Sequence, residues 1–89
     1  MALRFVGIDP NTGGGGSPSV WVDEESADLV LQGEEADELL KALVGRTEWV
    51  VGHKKGIPPH ERVIRIPVRM VPILREACDV AEQQRAGLC

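Results

Sequence analysis

The chain has 89 residues, a net charge of −4 and 43% hydrophobic residues, with Phe5, Trp21 and Trp49 as its aromatic set and no tyrosine. A chain this short has room for one core, here built of Val, Leu and Ile; its apolar and charged content excludes wholesale disorder, and no run approaches the ~20 apolar residues of a membrane span. Its acidity disfavours independent DNA binding, because phosphate neutralisation supplies most non-specific affinity.

Met1 to Phe5 lacks the apolar run of a signal peptide, so the expected location is the cytoplasm. Leu3 to Asp9 reads as a strand, with Leu3 and Phe5 on one side and Val6 and Ile8 on the other. Asp9 to Pro18, with its run of glycines from Gly13 to Gly16, reads as a turn-rich loop. Val20–Val22 and Leu29–Leu31 read as the second and third strands, joined by the polar turn Asp23–Asp28. Short polar connections between successive strands favour an antiparallel meander.

Ala36, Leu39, Leu40, Leu43 and Val44 then recur at helical spacing. Glu34, Glu35, Asp37 and Glu38 crowd the first turns, where the helix dipole favours negative charge, and Gly45 fits the residue just past the helix end. Glu48–Val51 suggests a fourth strand, His53–His60 a proline-stiffened loop, and Arg62–Ile66 a fifth strand. The last helix is expected to start near Val68 or Arg69, with an irregular first turn, because Pro72 lacks an N–H. Its stripe is Met70, Ile73, Leu74, Ala77, Cys78 and Ala81, and the polar tail beyond Ala81 is expected to fray. The predicted architecture is a single α+β domain: a three-stranded antiparallel meander, one or two further strands, and two helices packed on the sheet around one aliphatic core.

Catalytic and metal patterns fail on spacing. The glycine run feeds Ser17-Pro18 and a strand, whereas a phosphate loop must end in Gly-Lys-Ser/Thr and open a helix. Asp9 and Asn11 resemble the start of a calcium loop, but its twelfth position, which needs a bidentate Glu, is Val20. His53, His60, Cys78 and Cys89 match no zinc pattern. A disulfide between Cys78 and Cys89 is not expected in the cytoplasm. No enzymatic activity, cofactor, metal or catalytic residue is expected.

Charge is unevenly divided. Through Val44 only Arg4 and Lys41 oppose nine carboxylates; from Gly45 onward eight Lys/Arg face five carboxylates. The basic second half holds the best candidate for a partner surface: Lys54, Lys55, Arg62, Arg65 and Arg69, with His53 beside them. Trp49 joins this set because tryptophan is enriched at interface hot spots, although core packing is the ordinary role of both tryptophans. Solvated faces and the charge that protects an edge strand are the plainer explanation of the same pattern.

The stretch Arg62–Ala77, a strand handing over to an amphipathic helix, resembles the start of a ribbon-helix-helix DNA-binding domain. That resemblance implies that Arg62 and either Val63 or Arg65 face the major groove. A second helix, which that fold requires, does not follow, and about sixty residues precede the strand. More of the chain is covered by a second likeness. Leu3–Pro10, Ser17–Asp23, Asp28–Gly33 and Ile57–Met70 together resemble small uncharacterised actinobacterial proteins encoded beside helix-turn-helix regulators. This resemblance implies a regulatory accessory protein that binds a protein partner such as the neighbouring regulator. The expected protein is non-enzymatic and homodimeric; nucleic acid is the less favoured partner, and no membrane is expected.

Overall fold

Valine and tryptophan alternate through β2 (Ser19–Asp23), so Val20 and Val22 face one way and Trp21 the other. This strand is the centre of an antiparallel meander between β1 (Leu3–Ile8) and β3 (Leu29–Gln32). A computed structural model of the chain, which describes residues 2–11 and 16–87, places two further short strands and two α-helices after the meander, giving an α+β fold. Gly13–Gly15 of the glycine run and Cys89 lie outside the described residues.

The chain separates into two compact units, Met1–Gly33 with Ile66–Cys89, and Glu34–Arg65. In the first, α2 (Val71–Gly87) packs on the meander. Val20, Val22, Met70, Ala77 and Val80 form its buried cluster, with Val6, Ile66, Ile73, Leu74 and Ala81 packed around it. Burying each of the valines stabilises the fold by roughly 1.5–3 kcal/mol. Phe5 pairs with Trp21 but Gly7 with Val20, so Val6 is the extra residue of a bulge. The bulge brings Gly7 under α2, where a Cβ would lie 2.8 Å from Ile73 Cγ2. The polar turn closes through Asp23, whose Oδ1 accepts the N–H of Glu25 at 2.8 Å and of Ser26 at 3.3 Å, and through Ala27 at φ 67°.

The entry to α2 is irregular, as Pro72 predicts. Val68–Met70 form a single 3-10 turn, and Pro72 sits second in the α-helix, where its missing N–H has no intrahelical partner to lose. Two expectations for this helix are corrected. Cys78 is exposed and Val80 is buried in its stead: at 100° per residue Cys78 is rotated to the edge of the face that Met70, Ala77 and Ala81 define. The helix also runs on past Ala81 to Gly87, anchored where Gln84 Nε2 donates to the Glu24 carbonyl at 2.6 Å.

The second unit contains β4 (Glu34–Glu35), α1 (Glu38–Arg46) and β5 (Ile64–Arg65). Glu34 and Glu35 were expected to open the helix; instead they pair antiparallel with Arg65 and Ile64. Asp37 caps α1, its carboxylate accepting the Leu40 N–H at 2.8 Å. Gly45 lies within the helix, not past its end, and its open side faces Gly56 and Ile57. The expected strand Glu48–Val51 is absent. Glu48 Oε2 accepts the Gly52 N–H at 2.9 Å, Gly52 has φ 87°, and the segment closes into a turn. α1 buries no residue, so the expected single core from both helices is corrected to a core of α2 and the meander.

Candidate functional site

The six candidate partner residues fall in different places. Arg69, in the 3-10 turn, is committed to Asp9: Nε donates to Oδ1 and Nη2 to Oδ2, each at 2.6 Å. The Asp9 side chain is 0% exposed, and its Oδ1 also accepts the Asn11 N–H at 3.0 Å. The hydrogen bonds from Arg69 outweigh desolvation and hold the Asp9 carboxyl below the ordinary aspartate range, and Asp9 raises Arg69 in return. An aspartate held ionised by a bidentate guanidinium is a structural lock between the loop after β1 and the start of the last helix.

The other five lie in the second unit. Trp49, Lys54 and Lys55 line one cleft of about 210 Å³ with Val44, Thr47 and His53. Trp49 Nε1 donates to the Val44 carbonyl at 2.9 Å, which fixes the ring while leaving the residue 64% exposed. Beside it Val50 is exposed and Val51 is 94% exposed. Arg62 is turned onto its own loop, where Nη1 donates to the carbonyls of Pro59 at 2.7 Å and Glu61 at 2.9 Å.

Arg65 borders a different cleft, of about 290 Å³, lined also by Asp37, Leu39, Leu40, Leu43 and Arg46. Leu39, Leu43 and Arg46 stand at i, i+4 and i+7 and so share one helix face. That face is exposed, Leu39 to 83%. The Lys41 ammonium lies 2.9 Å from Glu38 and 3.4 Å from Glu35, and these carboxylates raise its pKa, Glu38 first. Lys41, Val44 and Gly45 are half-buried, and the two leucines are left outside. Their helical spacing predicts a core position, and the exposed face corrects it; the Leu-Leu-Arg spacing on one face is the signal for exposure.

A further apolar surface lies on the side of the meander away from Val20 and Val22. There Phe5 is 55% exposed and meets the Trp21 ring edge-on, with centroids 6.0 Å apart. The described residues hold no group of three His, Cys, Asp or Glu placed to bind a metal, and no described helix is long and apolar enough to cross a membrane. No protein-family model, curated protein or solved structure matches the chain.

Proposed function

We propose that the protein is a non-enzymatic regulatory accessory protein that binds a protein partner through the unit Glu34–Arg65, and that the partner is a helix-turn-helix transcriptional regulator. One observation carries the reading. This unit buries Ala36 alone while exposing Leu39, Leu43, Trp49, Val50 and Val51. Units below about 40 residues ordinarily need a disulfide, a metal or association to hold together. Exposed tryptophan and valine beside Lys54 and Lys55 match the apolar centre and charged rim of a protein interface. The resemblance of Leu3–Pro10, Ser17–Asp23, Asp28–Gly33 and Ile57–Met70 to proteins encoded beside such regulators supports the choice of partner.

The ribbon-helix-helix alternative draws less support. Its strand must pair with a dimer mate, whereas β5 pairs with β4 and has Glu34 and Glu35 opposite it.

Affinity capture from the native host, run with wild type and with a W49A/K54A/K55A variant, tests the proposal. A helix-turn-helix protein retained by wild type and lost by the variant is expected. Equal retention by both, or none by wild type, overturns it. A gel shift at low salt that persists with the purified protein alone would favour the DNA alternative.

A further inference from the structure

We propose that the cleft between α1 and β5 receives an acidic, leucine-bearing amphipathic helix of the partner protein; this deepens the partner-binding reading above and rests on it. The cleft is lined by Leu39, Leu40 and Leu43 together with Arg46 and Arg65. Neither arginine forms an ion pair among the described residues. Asp37, the one carboxylate on the lining, is engaged by the Leu40 N–H.

Two guanidiniums without carboxylate partners beside exposed leucines define the chemistry of the occupant. It must bring apolar side chains for the leucines and carboxylates for the arginines, since guanidinium matches carboxylate with paired hydrogen bonds. An amphipathic helix supplies both at i, i+3 and i+4 spacing, the helix-in-groove mode of recognition. A phosphate backbone would satisfy the arginines but leave the leucines in water.

The probe is a fluorescein-labelled, alanine-based helical peptide with leucine along one face and glutamate flanking it, compared with its Glu→Gln counterpart by fluorescence anisotropy. The wild-type chain should bind the glutamate peptide about 2- to 30-fold more tightly than the glutamine peptide, the range for two exposed ion pairs. R46Q/R65Q should abolish that preference, and L39E should abolish binding of both. All three positions are exposed, so circular dichroism should be unchanged. Equal affinity for the two peptides, a preference that survives R46Q/R65Q, or no binding of either peptide overturns the inference. So does tighter binding of a duplex oligonucleotide, or self-association of the chain that the peptide fails to disrupt.

Capture from the host separates this inference from its parent. A helix-turn-helix protein lost with W49A/K54A/K55A but retained with L39E/R46Q/R65Q would leave the partner reading standing and remove the cleft. Loss with both variants supports the two together.

Discussion

Replacing Gly7 with alanine would set a methyl group 2.8 Å from Ile73 Cγ2 and 3.2 Å from both Cγ1 and Cδ1. Carbon atoms prefer separations of about 3.5–4.0 Å, so all three contacts are too close. Overpacking of this kind costs about 1–3 kcal/mol. Gly7 does not adopt a positive φ, so alanine meets no backbone strain there and recovers about 0.5–1 kcal/mol of the entropy glycine loses in a strand. The net expectation is a destabilisation of about 1 kcal/mol, or a fall in Tm of roughly 4–8 °C. Removing the Ile73 branch should reverse the sign. In an I73A background the new methyl enters vacated space, and G7A should stabilise by about 0.5 kcal/mol. The coupling between the two positions is then about 1.5 kcal/mol, measurable by urea denaturation of the four proteins in a double-mutant cycle. If G7A destabilises equally in both backgrounds, the cost arises at the bulge itself and α2 does not press on Gly7.

Met70 is fully buried, so M70A should cost about 2–5 kcal/mol in urea denaturation; a loss well below that range would place Met70 outside the core. Ala27 holds φ 67°, where a side chain costs about 1–2 kcal/mol, part of which glycine forfeits in the unfolded chain, so A27G should raise stability by about 0.5–1 kcal/mol; an unchanged or lower Tm would contradict the left-handed turn. D37A should cost about 0.5–2 kcal/mol of α1 stability, read as faster amide exchange at Leu40 and the following residues, and unchanged exchange would refute the cap. Asp9 and Asp23 have lowered pKa values, Asp9 through hydrogen bonds from Arg69 and Asp23 through the Glu25 N–H. Their contribution is therefore complete above the ordinary aspartate pKa of about 3.9 and is lost as pH falls through the lower folded values. An acid titration followed by circular dichroism should show a shallower loss in D9N than in wild type; identical slopes would refute the ionised lock.

The meander was legible because β2 alternates cleanly and its turn to β3 is short and polar. Val20 and Val22 carry no conflicting signal, and Asp23 and Ser26 have the side chains a tight turn uses. The irregular start of α2 was equally legible, since Pro72 permits few other solutions. Errors gathered where one residue type serves two purposes. Glutamates suit a helix N-terminus and also a short charged ladder, and the Arg65 and Ile64 backbone across the way decided for the ladder. Leu39 and Leu43 lie on an apolar stripe, and periodicity alone does not say whether such a stripe meets a core or stays exposed. Cys78 and Val80 both border the α2 stripe, and only the phase of the helix against the meander separates them. For the site, basic residues were recognisable as a class. That Arg69 is engaged by Asp9 and Arg62 by carbonyls is a matter of contacts that local sequence does not encode.

The two ties that fasten the last helix to the meander, Arg69 to Asp9 and Gln84 to the Glu24 carbonyl, each span 60 positions of chain. At about 5–20 residues added per second, roughly 3–12 s separate the making of one end of such a tie from the other. Throughout that interval the nascent sheet must wait with Val20 and Val22 bare. The stretch Glu34–Arg65 is translated inside this window, after the three strands and before the helix that covers them.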